Sequence, residues 1–226
     1  MIQIITNFGP LLLRAMGHTL ILALCGLFFA CILGLIFGIM SVVQNKLCNA
    51  ISAVFVGVIR GVPMIVLAFY VFFGMPYLFN TILHFKQSVL LTSLQAGTIC
   101  LALNCGAYMA EIIRGGIQAV DIGQMEAARS LGLPYWRAMQ RVILPQAVRI
   151  MIPSIINQFI ITLKDTSILS VIGFPELVNS AKNVQAITMK SFQIWTIVGA
   201  MYLVIITLLT MLSKALERRL KYDSEK

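Results

Sequence analysis

Charge is scarce in this chain. Asp, Glu, Lys and Arg make up only 11% of its 226 residues, hydrophobic residues make up 59%, and mean hydropathy reaches +0.93. Soluble domains carry about 25% charge with roughly half their residues apolar, so a water-soluble globule is excluded. Histidine is rarer still: His18 and His84 stand alone, and no Ser-His-Asp or Cys-His grouping can be assembled for nucleophilic catalysis. The five cysteines, Cys25, Cys31, Cys48, Cys100 and Cys105, are odd in number and have no metal-ligand spacing, so no metal site is expected and they read as small buried hydrophobes. The sequence also lacks G-x-x-x-x-G-K-[ST], so it has no phosphate-cradling loop with which to use ATP itself. Nor does it contain two similar halves of opposite topology, the usual mark of a self-sufficient secondary transporter.

What is present is a series of uncharged runs. No acidic or basic residue occurs between Arg14 and Lys46, from Gly61 to Phe85, from Gln87 to Ala110, or from Ser191 to Ser213. A fifth run, Ile150 to Pro175, is broken only by Lys164 and Asp165. Each exceeds the ~20 residues that a helix needs to cross ~30 Å of hydrocarbon. Open strands cannot satisfy their backbone in lipid, so the spans must be helical. The fold class is therefore an all-α membrane protein with five transmembrane helices, at about 19–43, 63–79, 89–110, 153–173 and 192–213, in one domain covering 1–226. The apolar run after His18 is longer than a signal-peptide core and has no cleavage signature, so it reads as an uncleaved first span. Ile4, Ile5, Phe8, Leu11 and Leu12 before it suit a helix lying in the outer interface.

The net charge of +9 and pI near 9.6 would suggest nucleic acid in a soluble protein. In a five-span protein the position of the cations explains it instead, and no nucleic-acid partner is expected. Arg114, Arg129, Arg137, Arg141 and Arg149 fall between spans three and four, Lys46 between spans one and two, and Lys214, Arg218, Arg219, Lys221 and Lys226 after span five. The opposite face collects only Arg14, Lys86, Lys182 and Lys190. The positive-inside rule then places the N-terminus outside and the C-terminus in the cytoplasm.

Within the spans, Gly34 and Gly38 form a G-x-x-x-G that lets another helix approach closely. Arg60-Gly61-Val62-Pro63 predicts a break before the second span, since Pro removes a backbone donor; a continuous kinked helix from Ala50 is the alternative. Asn104 lies inside the third span and should face protein or water. Glu111 and Arg114, at i and i+3, should pair as that helix leaves the bilayer. Pro153 suits the first turn of the fourth span. Lys164 and Asp165 then lie about 17 Å along it, near mid-membrane, where ionisable groups are costly and mark a functional site or a tight pair. Two readings are open. Either Lys164 or Asp165 pairs with another span or a symmetry mate, or the two line a water-filled cavity and bind a zwitterion, Asp165 attracting the ammonium and Lys164 the carboxylate, with Asp165 and Thr166 or Ser167 favoured over Lys164.

The remaining feature is a charged, helix-prone island between spans three and four, Glu126-Ala127-Ala128-Arg129-Ser130-Leu131-Gly132 running on to Val142-Ile143-Leu144-Pro145. It must lie in water, shaped to dock on something there. Its spacings resemble the cytoplasmic loop of permease subunits in bacterial ATP-binding-cassette importers: Glu-Ala-Ala, three residues, Gly, nine residues, Ile, one residue, Leu-Pro. Val142 stands where that motif has Ile. Arg60-Gly61-Val62-Pro63, Ala107-Tyr108-Met109-Ala110-Glu111-Ile112-Ile113-Arg114-Gly115 and Lys164-Asp165-Thr166-Ser167 are similar to the polar amino acid branch, the histidine, glutamine and arginine permeases, with Val62 where Thr is usual. The resemblance covers nearly the whole chain as far as Glu217-Arg218-Arg219 and is greatest to glutamine permeases.

The resemblance implies a multi-pass protein of the bacterial cytoplasmic membrane that moves a polar amino acid by alternating access. A short coupling helix in a cytoplasmic loop at about 115–145 would use Glu126, Ala127, Ala128, Gly132, Val142, Leu144 and Pro145 to grip a separate ATPase. Substrate would meet Asp165, Lys164, Thr166, Ser167 and Asn104. Partners would be two ATP-binding-cassette ATPase subunits, a second permease (identical or homologous), an extracytoplasmic amino-acid-binding protein and membrane lipid. ATP and Mg²⁺ would reside on the ATPase, with no cofactor or catalytic residue on this chain. A self-contained secondary transporter or channel is the alternative.

Overall fold

A computed structural model describes residues 2–84 and 90–222, with side chains through 215. Lys86, Val89 and Lys226, together with the side chains of Glu217, Arg218, Arg219 and Lys221, lie outside the described residues. The described residues are helical, with no strand among them. Helix α1 spans Ile2–Met40, α2 Lys46–Gly61, α3 Met64–Ile82, α4 Ser93–Gln118, α5 Ile122–Ser130, α6 Tyr135–Ile172, α7 Leu177–Thr188 and α8 Ser191–Tyr222. Five of these, α1, α3, α4, α6 and the Ser191–Ala215 part of α8, are long and apolar enough to cross a membrane.

The observed helices differ from the expected ones at two places. The outer-interface segment and the first span are one unbroken 39-residue helix, α1, with Pro10 inside it. Pro10 is tolerated because packing holds both sides of it: Ile4, Leu12, Ala15 and Met16 share a core with Leu177, Ala181 and Val184 of α7 and Ile194 and Val198 of α8. Pro153 does not start the helix of the fourth span either. It lies inside α6, which begins some eighteen residues earlier at Tyr135. The helix absorbs another proline near its start with a widened turn at Met139–Ile143, closed by Leu144 N–H donating to the Met139 carbonyl. Such π-type turns release the carbonyl that a proline cannot serve. At its far end α6 tightens into a 3₁₀ segment, Thr166–Ile172, stopped by Gly173 at φ +74°.

Helix α4 is the most buried of the spans, and its small residues explain why. On α1, Gly26, Ala30, Gly34 and Gly38 form a stripe against Leu101, Cys105, Gly106, Met109, Ala110 and Ile113 of α4. A Cβ at Gly26 would fall 2.6 Å from the Leu101 Cβ, and one at Gly38 2.8 Å from the Ile113 Cβ. Helices without a hydrophobic drive in lipid associate by such close van der Waals approach. Helix α6 packs on the other side of α4, with Met151 and Ala147 against Gly116 and Ile113. The chain leaves helix at Val62 and Pro63, and the extended Val62 (φ −103°, ψ 131°) turns α2 into α3 across the face of α4.

Candidate functional site

Two features stand apart from this packing: the island between α4 and α6, and a polar cavity lined by α2, α3, α4 and α6.

The island is built by helix termini. Asp121 caps α5 by accepting from Gly123 N–H at 2.6 Å. At the other end Leu133 N–H donates to the Ala128 carbonyl at 3.2 Å, and Gly132 N–H to the Arg129 carbonyl at 2.9 Å. These two bonds make a Schellman motif, which requires a left-handed residue at its centre. Gly132 supplies it at φ +84°. Pro134 then ends any continuation. Thus Ala128 and Gly132 are tied by backbone chemistry: one is the buried residue whose carbonyl is capped, the other the residue that allows the cap. Glu126 and Ala127 face solvent. Val142 and Leu144 are half-buried around the buried Ile143, and Gln146 bridges the Val142 carbonyl (2.9 Å) to Gln124 of α5 (3.3 Å). Pro145 follows the widened turn and opens the regular part of α6. Beside the charged Glu126, Arg129, Arg137 and Arg141 stand three bare apolar side chains, Ile122 (75% exposed), Leu131 (85%) and Trp136 (61%). Large apolar groups held in water among charges mark an interaction surface. Helical periodicity does not link these three, because only Ile122 lies in α5, while Leu131 follows its end and Trp136 opens α6.

The cavity, of about 530 Å³, is lined by the Arg60–Met64 turn, by Asn104 and Tyr108 of α4, and by Gln158, Ile161 and Asp165 of α6. Asn104 and Tyr108 are one turn apart, and Gln158, Ile161 and Asp165 follow i, i+3, i+7, so each helix presents a single face. Arg60 lies over the Tyr108 ring at 4.9 Å and pairs with Glu111 at 3.1 Å. Glu111 also accepts from Arg114 Nε at 2.8 Å, the expected i,i+3 pair. Arg60 is therefore held in a cluster at the cavity edge instead of reaching away from the bundle. Asn104 Nδ2 donates to Met64 Sδ at 3.8 Å, a weak partner.

Of the five residues expected to meet substrate, the structure brings Asp165 and Asn104 together at this cavity. Lys164 points out of the bundle and is exposed. Thr166 is buried and donates to the Leu163 carbonyl at 2.7 Å, and Ser167 donates to the Lys164 carbonyl at 2.7 Å, so both hydroxyls serve the 3₁₀ turn. The 100° step between successive helix residues separates Lys164 from Asp165. Gln158, Tyr108 and Arg60 join the cavity unforeseen; the signal for Gln158 was its spacing, a carboxamide seven residues before Asp165 and so on the same helix face.

A third polar cluster lies at the far end of α6. Glu176 is fully buried and caps α7, accepting from Val178 N–H at 2.7 Å and Asn179 N–H at 2.6 Å, with Tyr202 Oη at 3.5 Å. Burial outweighs these bonds and pushes its carboxyl up to about 7.

Residues 30–222 match the family model for the binding-protein-dependent transport system inner membrane component. The glutamine transport system permease protein GlnP of Escherichia coli strain K12 is 35% identical, with 94% of each chain covered. The arginine transport system permease protein ArtQ of Bacillus subtilis strain 168 is 34% identical over 94% of this chain and 93% of that one. A crystal structure of an amino acid ABC transporter with histidines contains a chain of the same shape, at TM-score 0.86 and 35% identity, covering 95% of this chain and 96% of that one. The chain thus belongs to the family of binding-protein-dependent transport system inner membrane components.

Proposed function

We propose that this chain is the membrane-spanning permease subunit of an ATP-driven importer for a polar amino acid in the bacterial cytoplasmic membrane. The supporting observation is physical continuity: α6 begins in the island and carries Asp165 into the polar cavity without a break in helix. The island is the docking element. Its short helix α5, capped at Gly132, and the bare Ile122, Leu131 and Trp136 seat in a groove of a cytoplasmic ATPase, while Val142, Leu144 and Pro145 anchor them to the bundle. The N-terminus faces outward and the C-terminus the cytoplasm, because the island's arginines lie on the cation-rich side.

Two such permeases, identical or homologous, enclose the pathway, and two ATPase subunits carry ATP and Mg²⁺. A binding protein delivers the amino acid to the outer mouth. The cargo's ammonium meets Asp165 and its carboxylate the Arg60 end of the cavity. ATP-driven closure moves both islands, and rigid α6 transmits that motion to the cavity.

Tagged chain solubilised from its native membrane in mild detergent tests this reading, with co-purifying proteins identified by mass spectrometry beside a Gly132→Arg control. An ATPase present with the native island and absent from the control is the expected result. Absence of an ATPase from both, with ion-gradient-driven uptake by the isolated chain, would make the protein a self-contained transporter instead.

A further inference from the structure

We propose that an anionic phospholipid of the cytoplasmic leaflet seats behind α6, with one acyl chain in an apolar groove between α1, α6 and α8 and its phosphate on Arg149 and Lys214. The choice of leaflet rests on the island facing the cytoplasm; the site itself does not depend on what the protein carries.

The groove holds about 480 Å³, and its walls include Leu24 of α1, Ile156, Ile160 and Leu163 of α6, and Leu212 and Ser213 of α8. Apart from Ser213 the lining is hydrocarbon. Ile156, Ile160 and Leu163 follow i, i+4, i+7 along α6, and Arg149, seven residues before Ile156, continues the same stripe toward the island. Gln158 lies nine residues after Arg149, about two and a half turns, so the polar cavity is on the opposite face of the helix. From Arg149 to Leu163 the helix rises about 21 Å, and one leaflet of hydrocarbon is about 15 Å thick. A headgroup at Arg149 therefore leaves room for a full acyl chain along the stripe. Lys214 follows Ser213 on the facing helix, α8.

Charge selects the occupant. Arg60 and Arg114 share Glu111, whereas Arg149 and Lys214 are exposed and enter no ion pair among the described residues. Leu24 (67% exposed) and Leu212 (69%) leave the rim of the groove open along the bundle's outside. Hydrocarbon walls beside two unpaired cations are the complement of one molecule that carries both an acyl chain and a phosphate. A zwitterionic lipid fills the groove as well but brings a cation of its own against Arg149 and Lys214. A second copy of this chain fits worse. Among its described carboxylates Glu111 is shared by two arginines and Asp121 caps α5, which leaves Glu126 alone in the island to meet two cations. With lipid in place, α6 is propped on the face opposite the cavity, at the level of the residues it carries there.

The test is titration of the complex, purified from native membranes and stripped of lipid in detergent, with dioleoyl phosphatidylglycerol and separately with dioleoyl phosphatidylcholine. Native mass spectrometry reads the lipid bound per chain. Phosphatidylglycerol should saturate one site per chain at least tenfold more tightly than phosphatidylcholine. The exposed double variant Arg149→Gln, Lys214→Gln should lose that preference and bind the two lipids alike. Ile160→Trp, which fills the groove, should remove the tight site for both; where it fails to assemble, Leu212→Trp fills the groove from α8 and gives the same readout. Equal binding of the two lipids by the native complex, or a preference that survives the double variant, overturns the site. Cross-linking of two chains through Leu24→Cys and Leu212→Cys would put a second copy in the groove instead and overturn it too. None of these results bears on ATPase co-purification, so the importer reading stands or falls separately.

Discussion

Gly132 separates two jobs that the island could be doing, holding its own shape and presenting it. Its φ of +84° lies in the left-handed region, and a Cβ built there meets nothing within 4 Å. A side chain at 132 therefore has room, and its cost is conformational, about 1–2 kcal/mol for an ordinary residue and less for Asn, which visits this region readily. Set against the roughly 5–15 kcal/mol that stabilises a typical protein, that cost leaves the fold intact. It is confined to the end of α5, since the Leu133–Ala128 and Gly132–Arg129 bonds join residues within one short stretch of chain. Gly132→Asn, →Ala and →Arg should accordingly all reach the membrane and run as the native protein does on size exclusion. Bound ATPase after detergent extraction should fall little with Asn, several-fold with Ala, and at least tenfold with Arg, equivalent to about 1.4 kcal/mol or more of lost docking. ATP-dependent uptake should follow the same order. Asn losing as much ATPase as Arg would show that glycine is needed for something other than space at an interface. Full retention by Arg would refute docking at this surface.

Three further outcomes are expected. Glu176 is protonated more readily folded than unfolded, so its contribution to stability is complete below about pH 4.5 and is lost as pH rises through about 7. At about 1.4 kcal/mol per pH unit the loss is roughly 3 kcal/mol; the detergent melting temperature should fall between pH 5 and 8, and Glu176→Gln should flatten that slope, an unchanged slope counting against it. Gly26→Ala forces a Cβ to 2.6 Å from Leu101 and should cost about 1–3 kcal/mol, a drop of several degrees in melting temperature, whereas Gly57→Ala, with nothing within 4 Å, should not lower it. Equal effects of the two alanines would remove close α1–α4 approach as the explanation. Asp165→Ala should reduce uptake at least tenfold while the ATPase still co-purifies, and unchanged uptake would take Asp165 out of the cavity's chemistry.

The parts of the fold that depend on lipid and backbone alone were legible in the sequence. Uncharged runs longer than a bilayer gave the number of spans, and Gly34 and Gly38 gave the close contact on α1. Pro63 gave the break before α3, since a missing donor has the same effect wherever it falls. Pro10 and Pro153 did not act alike, and the difference is tertiary. Both lie in helices clasped along their length by neighbours, and that packing outweighs the local penalty. The site divides in the same way. The island's spacings were readable because the Schellman cap joins residues near in sequence, Ala128 to Gly132 and Leu133. The cavity was only half readable. Asp165 and Asn104 could be picked out as polar groups in apolar runs, but whether Lys164 or Gln158 shared their space depends on which way α6 is rotated against α4. That rotation is set by Met151 packing on Gly116, a contact between residues far apart in the chain.

The unbroken path of α6 changes how island and cavity relate. A helix starting at Pro153 would have left a loop between island and cavity, and a loop absorbs displacement. The regular part of the helix instead runs from Leu144 to Asp165, 22 residues rising about 33 Å. One end is fixed to α5 through the Gln146–Gln124 bond, and the other places Asp165 and Gln158 in the cavity. A tilt applied at the island must therefore move both side chains relative to Asn104 and Tyr108, because α4 is clamped by the α1 glycine stripe and cannot follow easily. The widened turn at Met139–Ile143 lies between α5 and this rod, so it is where bending concentrates. Replacing Pro145 with Ala removes the reason for that turn while leaving Val142 and Leu144 of the anchor in place. It should leave ATPase binding near native and cut the uptake obtained per ATP hydrolysed. Binding and uptake falling together would mean that the turn serves the docking surface itself, and that force enters the bundle by another route.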